Sequence, residues 1–187
     1  MLSMTVALLL FQAQTTPYLV IPKTRSALRS SAATVMPSSA KTSSSSSTTF
    51  SLQQFRTDVL DLVNEERKKR NLPTLTMNAR LEHSAQEHAD GMAKLHFFAH
   101  KSPGGKTPED RIRATGYLTP PCNCVVTMDY GENIAKGQKT PQDVMHAWMA
   151  SKIHRDNILK REFKDLGVGF AAGFWVQNFG GIAVQQK

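Results

Sequence analysis

The chain has very few cysteines. Only Cys122 and Cys124 occur among its 187 residues, so a disulfide-rich scaffold is excluded and the fold must depend on a hydrophobic core. A domain of about 130 residues buries enough apolar surface for that. Asn123 alone separates the two cysteines, and a bridge across one residue would be strained. Two free thiols in a loop are the default interpretation, and a redox-active pair or half of a soft-metal site are the alternatives.

The sequence also lacks a long hydrophobic run. The apolar stretch Met4–Phe11 is much shorter than the roughly 20 residues that span a bilayer. Small residues follow around Ala13, which predicts a secretory signal peptide over residues 1–14. No Lys or Arg precedes the stretch, however, and the Ser, Thr and Arg content that follows it is also typical of an organelle transit peptide. Secretion is the expected localisation, with organelle targeting as the alternative.

Acidic residues are absent from the first 57 positions. Five of the 23 Lys and Arg residues lie there, which leaves 18 against all 15 acidic residues from Asp58 onward, a net charge of +3. So small an excess does not support a nucleic-acid-binding face, and no nucleic-acid partner is expected. Residues 15–50, which include the serine run Ser43 to Ser47, are expected to form a disordered Ser/Thr-rich linker before a domain over residues 51–187.

Hydrophobic spacing and capping residues predict four helices and two strands. Apolar residues recur every three or four positions in the first two helices. Thr107-Pro108 and Thr140-Pro141 place an N-cap before a proline at the start of the next two. The predicted helices cover residues 51–69, 79–95, 108–115 and 141–151, with a further turn after His154, and the predicted strands cover residues 166–170 and 174–179. Helices first and strands last predict an α+β domain with an antiparallel sheet covered by helices.

Two common catalytic signatures are missing, because the chain has neither His-Glu-x-x-His nor a nucleophile elbow. What it has instead are three motifs that place a hydrogen-bonding or metal-competent side chain beside apolar or glycine neighbours. These motifs are Phe98-Ala-His100, Gly131-Glu132-Asn133-Ile134-Ala135 and Trp148-Met-Ala-Ser151-Lys-Ile-His154-Arg-Asp-Asn157.

Through these motifs, residues from about Asp58 to Gly181 resemble the CAP superfamily, which comprises cysteine-rich secretory proteins, insect antigen 5 and plant pathogenesis-related proteins. The similarity is greatest to the short, disulfide-poor, bacterial-type SCP-like branch. The resemblance implies an α-β-α sandwich with a central antiparallel sheet flanked by helices. It also implies export from the cell and a role in defence or at the cell surface.

In the larger members of this superfamily, two histidines and two glutamates line a central cleft. By resemblance, His100 and Glu132 correspond to the first histidine and the first glutamate. Ser151 stands where the second glutamate would be, His154 corresponds to the last histidine, and Asn157 to a nearby polar residue. Ser151 and His154 are three residues apart and face the same way only if one helix continues between them.

Two neutral imidazoles and one carboxylate can hold a divalent cation, so His100, Glu132 and His154 are the candidate metal ligands. Zinc suits the nitrogen ligands best, and nickel and copper are alternatives. A structural polar cluster without a metal is an equally weighted interpretation. No catalytic residue is assigned, because the missing second glutamate removes the obvious general base.

The expected function is therefore that of a secreted cleft protein that binds a ligand. By analogy with the superfamily, the ligand is a lipid or sterol, or a component of the cell wall or cell surface. A metal-dependent hydrolase acting on peptide or cell-wall substrates is the alternative. Residues 101–131, which are rich in Gly, Pro and Tyr and include the predicted helix 108–115, are a second functional candidate, because loops of this kind over a cleft can serve as a lid or recognition surface.

Overall fold

A computed structural model describes residues 52–120 and 125–184 of the chain. The predicted leader over residues 1–14, the predicted linker over residues 15–50 and the cysteine pair Cys122 and Cys124 lie outside the described residues. Between them, the described residues carry five helices and four strands. None of the described helices is long and apolar enough to cross a membrane.

The elements follow one another as α1 Leu52–Lys68, β1 Thr76–Met77, α2 Ala79–Leu95, α3 Pro108–Ala114, β2 Val126–Lys136, α4 Pro141–Ala150, α5 Lys152–Leu159, β3 Asp165–Ala171 and β4 Phe174–Val184. The four predicted helices and two predicted strands are confirmed, although β4 runs five residues further than expected. The predicted turn after His154 is a complete helix that already begins at Lys152. Strands β1 and β2 are additional to the prediction.

The helix starts follow the capping chemistry of the sequence. The Thr107 hydroxyl accepts a hydrogen bond from the backbone N–H of Asp110, and the Asp110 carboxylate accepts one from the backbone N–H of Thr107, which completes a capping box. The Thr140 hydroxyl accepts from the backbone N–H of Asp143 in the same way. Each helix then begins with a proline, whose missing N–H costs nothing at that position.

The sheet has the strand order β1-β3-β4-β2. Strand β4 pairs antiparallel with both β3 and β2, whereas the two-residue β1 pairs parallel with β3. The predicted antiparallel sheet is therefore correct except at this short edge. Ala172 and Gly173 join β3 to β4 with φ values of 46° and 83°. Positive φ at both central residues is typical of the two-residue turn that matches the twist of a hairpin.

Helices cover both faces of the sheet and give it three layers. On one face, α1, α4 and α5 pack against Leu166, Val168, Trp175 and Phe179. On the other face, α2 and α3 pack against strand residues whose side chains point the opposite way, including Phe174 and Val176. Because successive side chains of a strand point to opposite faces, the two apolar cores are separated by the sheet. The predicted α+β sandwich of helices, sheet and helices is confirmed.

The outer edge of β2 is the part of the sheet that carries the site. Side chains from the helices satisfy carbonyl groups along this edge. Trp148 of α4 donates its indole N–H to the carbonyl of Ile134 at 3.3 Å, and Asn157 of α5 donates its amide to the carbonyl of Glu132 at 3.3 Å. Covering an edge strand in this way prevents unwanted pairing, and it brings α5 next to the glutamate of the second motif.

Candidate functional site

A buried carboxylate lies at the centre of the site. Glu132 points toward the face of α2, and its side chain is only 2% exposed. One oxygen, Oε1, accepts a hydrogen bond from His100 Nδ1 at 2.9 Å. The other, Oε2, accepts from Arg111 Nη2 at 2.7 Å. Hydrogen bonds offset the cost of removing such an ion pair from water. Both carboxylate oxygens of Glu132 are satisfied, whereas the buried Nε of Arg111 has no hydrogen-bond partner among the described residues.

Arg111 of α3 connects this carboxylate to the segment that carries His100. Its guanidinium also donates to the carbonyl of His100 at 3.0 Å, to the carbonyl of Lys106 at 3.1 Å and to the hydroxyl of Ser102 at 3.3 Å. The arginine side chain is itself 2% exposed. The planar fork of arginine can hold several acceptors at fixed angles, so Arg111 fixes the chain from His100 to Lys106 over Glu132.

Two further polar side chains surround Glu132. His88 of α2 is buried, and its Nε2 lies 3.0 Å from the carbonyl of Ala99 and 3.9 Å from Glu132 Oε1. Because a carbonyl only accepts hydrogen bonds, His88 carries its proton on Nε2. Asn178 of β4, oriented so that both ends of its amide are satisfied, donates to Glu132 Oε2 at 3.0 Å and accepts from the Ser84 hydroxyl at 2.9 Å.

Burial lowers the pKa of His88, and the neighbouring Arg111 charge lowers it further while Glu132 acts in the opposite direction. The pKa of His154 is also lowered, first by burial and then by His100. Both imidazoles therefore stay neutral in the folded protein at pH values where an unfolded chain already binds protons. Stability is expected to fall as the pH decreases below about 6.5, the ordinary histidine pKa.

Urea unfolding at about pH 7.5 and about pH 5.5 measures this loss, since ordinary carboxyl groups stay ionised over most of that window. In His88→Gln the loss is expected to be smaller, because the amide can still donate to the Ala99 carbonyl but does not titrate. The exposed His146 provides the control, and His146→Gln should behave as the wild type does. An unchanged loss in His88→Gln would show that His88 is not held neutral.

The second wall of the site is α5, which carries His154. Asn133 follows Glu132 in β2 and points to the opposite face of the sheet. Its amide nitrogen donates to the His154 carbonyl at 3.0 Å and to Gln177 Oε1 at 3.1 Å. Its oxygen accepts from Asn157 Nδ2 at 2.9 Å. His100 contributes to the lowering of the pKa of His154, so the two rings interact electrostatically, and a cleft shared by both remains a prediction.

The two remaining candidate residues are Asn157 and Ser151. Asn157 directs its amide to Asn133 and to the carbonyl of Glu132, so it braces α5 from within. Ser151 has extended backbone angles, φ −88° and ψ 123°, and separates α4 from α5. The helix does not continue through it, so the condition for Ser151 and His154 to share a helix face is not met.

The candidate segment 101–131 ends in a strand that was not predicted. Residues Val126 to Gly131 belong to β2, and α3 occupies the middle of the segment, as its capping residues predict. The strand is formed because all eleven residues of β2 find partners in β4, from Val126 with Val184 to Lys136 with Phe174. The expected role of the connections on either side of α3 as a lid or recognition surface stays a prediction.

Sequence reasoning missed Arg111, His88, Asn133 and Asn178. His88 has a detectable signal, because it lies on the apolar stripe of α2 that includes Leu81, Ala85 and Met92, where a polar residue is buried. The other three are joined to the site by contacts between distant elements. For Arg111, the partner Glu132 is 21 residues away in another element, and no local pattern indicates that pairing.

The side chains predicted to be metal ligands meet the requirements of a divalent cation only in part. Within residues 52–120 and 125–184, no group of three or more His, Cys, Asp or Glu side chains is arranged to hold a metal ion. Both oxygens of Glu132 are occupied by His100 and Arg111, so the predicted use of Glu132 as a direct ligand would break an ion pair. His100 and His154 stay predicted metal ligands, and Glu132 accepts a hydrogen bond from the ring of His100.

The comparison with known protein families decides the classification. The model of the CAP family, described as the cysteine-rich secretory protein family, matches residues 60–179. The chain belongs to this family. A protein of Bacillus subtilis strain 168, the uncharacterized protein YkwD, is 36% identical over 141 residues, which cover 74% of this chain and 52% of the relative. The chain thus spans about half the length of this curated relative.

Two solved structures are similar in fold to this chain. An extracellular protein containing a SCP domain from Bacillus anthracis str. Ames has a TM-score of 0.61 and 29% identity, covering 70% of this chain and 42% of that one. An outer surface protein from Borrelia burgdorferi has a TM-score of 0.55 and 24% identity, covering 66% of this chain and 89% of that one. The second likeness concerns the fold alone.

Proposed function

We propose that this CAP domain is an extracellular binding module whose cleft holds a ligand between His100 and His154. The observation that carries the proposal is the hydrogen bond from His100 Nδ1 to the buried Glu132. Because Nδ1 is the donor, the other ring nitrogen, Nε2, keeps its lone pair for a ligand. The His100 side chain is 51% exposed, so a ligand can reach it.

Export from the cell is part of the proposal. The Bacillus anthracis protein, which is 29% identical to this chain, is described as extracellular. The short apolar stretch Met4–Phe11 followed by small residues is typical of a signal peptide. Secretion and a ligand at the cell surface or in the cell wall agree with both observations.

A divalent cation is the simplest ligand that two neutral imidazoles can share. Zinc, with nickel and copper as alternatives, prefers imidazole nitrogen. Glu132 would support such a cation indirectly, because a carboxylate that accepts from the second ring nitrogen orients a ligating histidine. A bound cation would supply a positive charge that polarises carbonyl or phosphoryl oxygens.

Apolar side chains beside both histidines favour a ligand with an apolar part. Phe98, two residues before His100, is 48% exposed, and Ile153, directly before His154, is 75% exposed. Ligand-binding pockets combine apolar lining side chains with a few polar groups, and Phe98 and Ile153 would supply the apolar lining here. A lipid, a sterol or an acylated cell-wall component has the required chemistry. No contact in the described site favours the hydrolase alternative.

Zinc chloride titrated calorimetrically into the full-length chain tests the proposal. The Cys122→Ser/Cys124→Ser background removes thiolates, which also bind zinc. We expect one saturable binding event in this background and the loss of that event in His100→Ala/His154→Ala. The matched control is His83→Ala/His146→Ala, which removes two exposed helical histidines and should bind as the background does. Equal binding in the two double variants, or none in the background, would contradict the proposal for zinc.

A further inference from the structure

We propose that each wall of the cleft is held by its own buried polar network, anchored on consecutive residues of β2. Glu132, with Arg111 as a positioning residue, sets the tautomer of His100. Asn133, with Asn157, sets the position of His154. This inference rests on the proposed function only in taking the two imidazoles as the walls of the binding site.

The network on the α2 side has a fixed direction of hydrogen bonding. A guanidinium can only donate, so the oxygen of Glu132 that faces Arg111 must accept. The ionised carboxylate then presents its other oxygen to His100, and that oxygen also accepts. His100 must therefore carry its proton on Nδ1, and its Nε2 is the acceptor or ligand in the cleft.

The network on the α5 side depends on the amide of Asn133, which is fully buried. Both of its N–H groups and its oxygen have partners, namely the His154 carbonyl, Gln177 and Asn157. Such a satisfied buried group fixes the elements that it joins. Here it joins β2 and β4 to the first turns of α5 and thereby fixes where His154 enters the cleft.

The side chains of the two networks lie on opposite faces of the sheet, and the hydrogen bond from Asn157 Nδ2 to the main-chain carbonyl of Glu132, at 3.3 Å, is a contact between them. Glu132 pairs with Asn178 in the β2–β4 ladder, and Asn133 pairs with Gln177. Because side chains alternate along a strand, Glu132 and Asn178 lie on the α2 face, while Asn133 and Gln177 lie on the α5 face. A change in one network should therefore affect one histidine and leave the other unchanged.

The variant Glu132→Gln tests the first network without changing its shape. Arg111 requires an acceptor, so the new amide must direct its oxygen to Arg111 and its NH₂ group to His100. An NH₂ group donates, and His100 Nδ1 must then accept. The substitution is expected to move the His100 proton from Nδ1 to Nε2. The ring nitrogen that faces the cleft would then donate a hydrogen bond instead of accepting one.

The experiment is ¹⁵N NMR of the histidine rings in the full-length chain without added metal, at about pH 8, where ordinary imidazoles are neutral. In the wild type, we expect His100 to be protonated on Nδ1. In Glu132→Gln it should be protonated on Nε2, with unchanged His154 ring signals. In Asn157→Ala, the His154 ring signals should shift while His100 keeps its proton on Nδ1. Arg113→Met, which removes an exposed arginine from the same helix as Arg111, should match the wild type.

Three results would overturn the inference. These are a His100 ring protonated on Nε2 in the wild type, a proton that stays on Nδ1 in Glu132→Gln, and a variant in one network that shifts both rings equally. A merely structural role for these residues would change thermal stability but would not select between the two histidines. Because no ligand is added, the outcome does not depend on whether the chain binds zinc.

Discussion

Replacing Arg67 with methionine is expected to lower the free energy of unfolding by roughly 3–5 kcal/mol, the range for breaking a buried charged network. Arg67 lies in the last turn of α1 and is completely buried. Its guanidinium donates to the carbonyls of Pro73 at 2.7 Å, Ile158 and Lys160 at 2.8 Å and Phe163 at 3.3 Å. Methionine fills much of the volume but leaves these carbonyls without a donor.

The contacts of Arg67 also explain how its buried positive charge is tolerated. Burial lowers the pKa of Arg67, and the nearby Arg161 lowers it further, but four carbonyl dipoles replace the lost water. They come from the end of α5 and the segments that flank β1 and β3, so Arg67 joins the layer that carries His154 to the rest of the domain.

Urea unfolding followed by circular dichroism measures the effect. Arg70→Met is the control, because Arg70 is 41% exposed and pairs with Glu66 at the surface. Surface ion pairs of this kind contribute about 0–1 kcal/mol, so the control should unfold close to the wild type. If both variants lost the same small amount, the carbonyl contacts of Arg67 would not be important for stability.

Gly169→Ala is expected to destabilise the domain by about 3 kcal/mol or more, at the upper end of what overpacking costs. Gly169 lies in β3 beneath α2. An added Cβ would overlap the backbone carbonyl of Ala85 and lie 2.5 Å from the backbone nitrogen of Gln86. These are backbone atoms of a helix, and they cannot relieve the overlap by a rotamer change as a flexible side chain can. Helix α2 would therefore have to move away from the sheet.

The matched control is Gly91→Ala in α2 itself. A Cβ at Gly91 meets nothing within 4 Å, and alanine favours a helix over glycine by roughly 0.5–1 kcal/mol. The same substitution should therefore stabilise the protein at one position and strongly destabilise it at the other. Comparable melting temperatures for the two variants would mean that α2 does not approach β3 as closely as described.

The sequence predicts most of the fold because its signals are local. Helix caps at Thr107 and Thr140 act within a few residues, and the structure confirms both of them. Strand β2 carries no such signal. It contains a glycine and mixes exposed with buried residues, and it becomes a strand only through pairing with β4, which is distant in sequence.

The site also has residues that the sequence indicates and residues that it does not. The resemblance groups His100 with Glu132, and the structure joins them directly at 2.9 Å. The resemblance does not indicate Arg111, which is conspicuous only once α3 packs over β2. The role of Asn133 is also invisible locally, because it depends on the alternation of strand faces and on the position of α5. Metal binding by His100 and His154 remains a prediction.

A zinc titration observed at individual histidine rings by NMR tests the central claim most directly, in the Cys122→Ser/Cys124→Ser background. The account predicts that the ring signals of His100 and His154 shift together and saturate together, with His100 coordinating through Nε2. The exposed His83 and His146 should shift only at higher zinc concentrations. If His83 and His146 respond together with His100 and His154, or if the latter two do not respond, the cleft is not the binding site proposed here.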